Sequence, residues 1–193
     1  MFQVRFHGRG GQGVVTSAEL LSLAAFAEDR YAQAFPSFGS ERMGAPVVAF
    51  CRIDDRAIRT REPVVRPDAV IVQDATLRHQ VDVFEGLGPD GYLLVNSART
   101  SAELGIDDLV RTLRADRTAV VPVTELALEH LGRPLPGAGL LGGFAALTDQ
   151  VSLESVLAAI EKRFAGPVAK GNAAMAVAAF DLVTSRREEL SRA

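Results

Sequence analysis

Gly8, Gly10 and Gly13 stand at the spacing G-x-G-x-x-G inside the stretch HGRGGQGVV, with Gly11 and Gln12 between the last two. Such a loop, set between a strand and a helix, lets backbone N–H groups approach an anion, and the helix dipole turns its positive end toward it. Phosphate is the chemistry it suits. A dinucleotide site also needs a carboxylate at the end of the second strand to hold the ribose. That place holds Phe35, Pro36 and Ser37. A Walker loop needs Gly-Lys-Ser/Thr, and here Gln12-Gly13-Val14 stands instead. NAD, FAD and ATP lose ground together, while a glycine turn that only packs a helix on a strand stays open beside the phosphate reading.

A second loop, PSFGSERMGAP over residues 36–46, is longer than a βαβ unit needs. Strand ends in an open α/β sheet form the binding crevice, and this loop falls at the same sheet edge as the glycines. Ser37 brings a hydroxyl, Gly39 a bare backbone, and Glu41 and Arg42 opposite charges; a surface loop with an internal ion pair is the plainer alternative. His7 reads as a hydrogen-bonded structural histidine. Gln73-Asp74 and Asn96-Ser97 end buried strands, where crevice residues and caps both occur. Ser37 and Ser97 have no base and carboxylate to complete a triad, so no residue is assigned as catalytic and none as a metal ligand.

These loops need a frame. Residues 2–6 alternate with period two, as a strand does. Residues 14–27 carry a broad apolar helical face, closed by Glu28-Asp29-Arg30. Strands are expected at 31–35, 47–53, 69–72, 92–95 and 119–123, with 56–61 returning as a hairpin arm. Helices are expected at 77–84, 106–113 and 125–131. Residues 133–139, with two prolines and two glycines, mark a break. Beyond it the chain reads as helical, with Ser152 capping a helix to 164 and a last helix over 170–190. The fold class is therefore α/β. It is a three-layer, Rossmann-like, doubly wound and mostly parallel sheet over about 1–132, with a C-terminal helical extension over 133–193, all within one domain.

The bulk numbers narrow the classes. The chain has 193 residues, 48% hydrophobic, enough for a sizeable core. A net charge of −3 argues against a nucleic-acid binder. Lys162 and Lys170 are the only lysines, so arginine carries the positive charge, a side chain suited to phosphate and carboxylate forks. Cys51 is the single cysteine, which excludes an internal disulfide and a cysteine-ligated iron–sulfur cluster. No signal-peptide pattern and no membrane-spanning apolar run is present, so a cytoplasmic protein is expected.

The pairing of HGRGGQGV with AFPSFGSERMGAPVVAFCRI resembles the gamma subunit of 2-oxoacid:ferredoxin oxidoreductases. The likeness continues through PDAVIVQD, GYLLVNS, LLGGFAALTDQVSLESV and KGNAAMAVAAF, essentially the whole chain. The ER-x-GAPV form looks most like the pyruvate-type members; phenylglyoxylate and branched-chain enzymes are close relatives. The resemblance implies one part of a multisubunit enzyme that decarboxylates a 2-oxoacid oxidatively on thiamine diphosphate, with Mg. Electrons leave through [4Fe–4S] clusters to ferredoxin, and the acyl group goes to coenzyme A. Thiamine would belong to alpha- and beta-type subunits and clusters to a ferredoxin-like delta-type subunit. The chain has no Gly-Asp-Gly thiamine motif; Asp90-Gly91 lacks that context.

For this chain the resemblance implies an assembly role on the coenzyme A side, with no cofactor firmly its own. The contact residues would be Gly8, Gly10, Gly11, Gln12 and Gly13 with Ser37, Phe38, Gly39, Glu41 and Arg42. Arg42, or one of Arg52, Arg56, Arg59 and Arg61, would meet the 3′-phosphate. A subunit seam is the plainer use of that arginine-rich stretch. Two other readings stand beside this one: a self-sufficient nucleotide-binding oxidoreductase, and a pure interaction module with an empty glycine turn.

Overall fold

A computed structural model describes residues 1–37 and 43–192. The chain begins with β1 (Phe2–Arg9), where Val4 and Phe6 bury on one face of the sheet and Arg5 and His7 on the other. Next come α1 (Val14–Ala27), β2 (Tyr31–Pro36), β3 (Pro46–Asp54) and β4 (Ala69–Val72). A 3₁₀ turn over Ala75–His79 leads to β5 (Tyr92–Asn96), α2 (Ser101–Leu104), α3 (Asp107–Thr112) and β6 (Thr118–Val121). The last third holds α4 (Val123–Leu131), α5 (Gly137–Thr148), α6 (Leu153–Arg163) and α7 (Gly166–Arg192).

The six strands form one mixed sheet in the order β2-β3-β1-β4-β5-β6. β1, β4, β5 and β6 pair in parallel, and β3 runs antiparallel to both β1 and β2. The two faces carry separate cores. Val4, Phe6, Ile71 and Leu94 pack with α1 and α4–α7 on one side. Val70, Val72, Leu93 and Val95 pack with Leu77, Val83, Leu104, Ile106 and Leu113 on the other. The sheet is thus covered on both faces, the three-layer α/β arrangement read from the sequence. The crossover after β1 lies on the first face and those after β4 and β5 on the second. The topology therefore switches between β1 and β4, where open α/β sheets place their ligand crevice.

Two expected elements are not formed. Residues 56–61 make no hairpin arm, because β1 and β2 already occupy both edges of β3. The chain instead turns back beneath the sheet, where the buried Arg52 guanidinium donates to the Glu62 carbonyl. Residues 77–84 form no α-helix; a 3₁₀ helix over Ala75–His79 takes only their start. Asp74 starts a 3₁₀ turn by accepting from Thr76 N at 3.0 Å, and the Asp82 carboxylate accepts from Phe84 N at 3.1 Å. Such local side-chain bonds compete with helix propagation.

The helical last third is part of the interior. Every residue of α5 is buried, and Gly142 lies so close to α7 that a Cβ there would meet Ala176 O at 2.0 Å. Ser152 caps α6 as expected, its Oγ accepting from Ser155 N at 3.1 Å. Among the described residues no helix is long and apolar enough to cross a membrane.

Candidate functional site

The glycine loop turns where β1 ends. Gly10 N donates to Ala45 O at 2.9 Å and Gly44 N to Gly10 O at 3.1 Å, so this loop is laced to the far end of the second one. Gly11 has φ +92° and Gly13 φ +74°, backbone regions that only glycine enters freely. Gly13 is the N-cap of α1 and supplies no side-chain cap. Gln12 braces the turn, its Oε1 accepting from Arg9 N at 2.7 Å and its Nε2 donating to Asp74 Oδ2 at 3.1 Å.

Beside this turn opens a cleft of about 660 Å³. Its walls come from the ends of β1, β4 and β5 and from the start of the segment before α5. Gln73 and Asn96 fix the floor. Gln73 Nε2 donates to Ser17 Oγ at 2.7 Å, and Ser17 Oγ donates to Gly13 O at 3.0 Å, so β4 is tied to the first turn of α1. Asn96 Nδ2 donates to Gln73 O at 2.8 Å and joins β5 to β4. Ser97 Oγ accepts from Arg99 N at 2.9 Å.

The charge of the cleft is mainly positive. Arg78, Arg99 and Arg133 line it, and none has an ion-pair partner among the described residues. Asp74 is its one carboxylate among the described residues, and Arg9 Nε pairs with it at 3.0 Å. Burial raises the Asp74 carboxyl, but bonds from Thr76 and Gln12 and the charge of Arg9 outweigh that, so it titrates below the ordinary carboxylate value. A smaller slot of about 250 Å³ adjoins the cleft at Gly11, Gln12, Arg133 and Leu135. Leu20, Leu131, Phe164 and Val168 make it largely apolar. A ligand with an anionic half and an apolar half matches the pair.

The residues read from the sequence divide. Gly10, Gly11 and Gln12 line the cleft, and Gly13 lines the slot. Gly8 serves packing: a Cβ there would meet Val14 Cγ2 at 2.5 Å. Ser37 is exposed just past β2 and donates its N–H to Val48 O at 2.8 Å. Phe38, Gly39, Glu41 and Arg42 lie outside the described residues. Arg52 is buried under the sheet, and residues 56–61 follow the end of β3, which pairs with the start of β1. They sit at the opposite end of the sheet from the glycines, roughly 25 Å away for a strand of this length.

The expectation for His7 is half met. It is buried, but neither ring nitrogen has a hydrogen-bond partner among the described residues. Burial and the neighbouring charge of Arg5 lower it to about 4, so the ring is neutral. Cys51 is buried in β3, and burial pushes its thiol up, away from the reactive thiolate. Sequence reading missed Arg78, Arg99 and Arg133. The signal was present for two of them: Arg78 and Arg99 follow the strand-ending pairs 73–74 and 96–97 within four residues.

Residues 3–182 match the family described as Pyruvate ferredoxin/flavodoxin oxidoreductase. The chain is 45% identical over 181 residues to the pyruvate synthase subunit PorC of Methanocaldococcus jannaschii, covering 94% of this chain and 96% of that one. It is 46% identical over 181 residues to the pyruvate/ketoisovalerate oxidoreductases common subunit gamma of Thermococcus litoralis, with the same coverage, 94% and 96%. Among solved structures, the pyruvate oxidoreductase subunit PORC of Thermotoga maritima superposes with a TM-score of 0.77 at 34% identity, over 93% of this chain and 95% of that one.

Proposed function

We propose, from the premise that the chain belongs to the pyruvate ferredoxin/flavodoxin oxidoreductase family, that its own contribution to such an enzyme is a wall of the coenzyme A site. The chain is the gamma-type subunit of a multisubunit 2-oxoacid oxidoreductase of the pyruvate:ferredoxin class. Its partners are thiamine-binding alpha- and beta-type subunits and a ferredoxin-like delta-type subunit. Those chains supply thiamine diphosphate with Mg and the [4Fe–4S] clusters; one buried thiol cannot ligate a cluster. The substrate is pyruvate or a related 2-oxoacid, oxidatively decarboxylated to its acyl-CoA. No residue of this chain is assigned a bond-breaking role.

One observation carries the coenzyme A reading: three arginines without ion-pair partners among the described residues line a cleft with the Gly10–Gly11 backbone at the topological switch point. Coenzyme A brings phosphates for Arg78, Arg99 and Arg133, which offer planar forks. Its pantetheine arm suits the adjoining apolar slot. A cleft of this size falls within the range that encloses cofactor-sized ligands. A self-sufficient dinucleotide enzyme is disfavoured, because β3 separates β2 from β1, and the one carboxylate beside the glycine loop among the described residues, Asp74, is already taken by Arg9, Gln12 and Thr76.

The test uses the assembled complex. Arg99→Gln and Arg133→Gln should each raise the KM for coenzyme A by about ten-fold, the scale of one lost charge-assisted contact. The KM for the 2-oxoacid should stay as it is. Unchanged coenzyme A kinetics in both variants would leave a purely structural subunit. These are cleaner probes than Gly11→Asp, because Gly11 sits at φ +92°, where any side chain strains the loop itself.

A further inference from the structure

Arg9 ends β1, between Gly8 and Gly10 and beside the cleft's carboxylate. Its guanidinium is committed to the protein. Nε donates to Asp74 Oδ2 at 3.0 Å, NH2 to Thr76 Oγ1 at 2.7 Å, and NH1 to Gly44 O at 3.1 Å and Gln80 Oε1 at 3.4 Å. Every guanidinium nitrogen has an acceptor within the fold. Asp74 is equally engaged. Oδ2 takes Arg9 and Gln12, and Oδ1 takes Thr76 N at 3.0 Å and Thr76 Oγ1 at 2.6 Å.

The position of Asp74 makes this pairing matter. It is the one carboxylate on the cleft wall among the described residues, set among Arg78, Arg99 and Arg133. Left unpaired, its charge would repel any anion that those arginines attract, and a partly buried charge is poorly screened by salt. Arg9 cancels that charge from behind and at the same time ties together the glycine loop, the second loop and the 3₁₀ turn. Gly10 and Gly11 then meet the ligand as neutral backbone.

We propose that Arg9 is a positioning residue that acts through Asp74: it neutralises the cleft's carboxylate and so sets the anion affinity without touching the anion. This rests on the coenzyme A reading above. The charge logic gives opposite signs for the two partners. Removing Arg9 exposes a negative charge to the cleft, and removing the charge of Asp74 releases a positive one.

The experiment measures coenzyme A binding by calorimetry on the assembled complex, together with the KM for the 2-oxoacid and thermal stability. Arg9→Gln should weaken coenzyme A about ten-fold, and Arg9→Gln/Asp74→Asn should return to within about three-fold of the parent. Arg9→Lys, which keeps the charge, should lie between. Asp74→Asn alone should bind at least as tightly as the parent, and it serves as the probe if Arg9→Gln does not assemble. Unchanged affinity in Arg9→Gln, a double variant as weak as the single, or looser binding in Asp74→Asn would each overturn the proposal. Arg133→Gln separates the two readings: if it too leaves coenzyme A binding unchanged, the coenzyme A site itself is what fails.

Discussion

Asn96 and Thr124 hold each other across the end of the sheet: Asn96 Nδ2 donates to Thr124 Oγ1 at 2.7 Å, and Thr124 N donates to Asn96 Oδ1 at 3.0 Å. The pair fixes the first turn of α4 on the end of β5, and the same Nδ2 reaches Gln73 O. Asn96→Ala leaves a backbone donor and a backbone acceptor unpaired in a part-buried place. The expected loss is about 2–3 kcal/mol, read as a fall in Tm of roughly 5–10 °C for a chain of this size. A Tm within a degree or two of the parent would show that water replaces the side chain without cost.

His7 makes stability fall with acid. Its folded value is about 4, below the ordinary 6.5. The unfolded chain therefore binds a proton first as pH drops, and the folded state loses stability progressively between about 6.5 and 4. The full difference is about 3 kcal/mol, at 1.36 kcal/mol per unit. His7→Leu removes this titration and breaks no hydrogen bond among the described residues, because the ring nitrogens have none there. Urea midpoints at pH 7.5 and 4.5 should show the variant gaining on the parent as pH falls. A difference that does not change with pH contradicts this.

Two adjacent glycines of α5 should answer the same substitution in opposite ways. Gly142→Ala drives a Cβ into the α7 backbone, 2.0 Å from Ala176 O, and should cost about 3 kcal/mol or more. Gly143→Ala meets only Val183 Cγ2 at 3.4 Å and the Leu94 methyls beyond. It fits with a small shift and gains up to about 1 kcal/mol of helix propensity. Thermal denaturation of the two variants side by side decides it.

Arg56, Arg59 and Arg61 should be silent in coenzyme A binding. They follow the end of β3 at the far end of the sheet, well beyond the ~8 Å screening length of physiological salt. Glutamine at all three should change the KM for coenzyme A by less than about two-fold. A larger rise would mean that the ligand wraps around the sheet edge.

What the sequence made legible was local. Residues 14–27, 69–72 and the Ser152 cap fall where periodicity and capping chemistry put them, because each depends on neighbours a few residues away. The insertion of β3 between β1 and β2 was not legible. Strand order is a long-range choice, and it removed the expected hairpin arm by filling both edges of β3. The cleft followed the same division. Glycine spacing marked Gly10 and Gly11, but the arginines that give the cleft its charge come from three separate segments. Arg133 lies in a stretch that reads only as a break, and topology alone brings it beside the glycines.

The enclosure of α5 bears on how the chain is made. The ribosome releases β1 and α1 more than a hundred residues before the helix that seals their common face has been synthesised. Until then Leu20, Leu21 and Phe6 have no cover from Leu140, Leu141 and Phe144, their companions in the finished core. The nascent polypeptide is therefore sticky for most of its synthesis, and its compaction waits on the final third of the message.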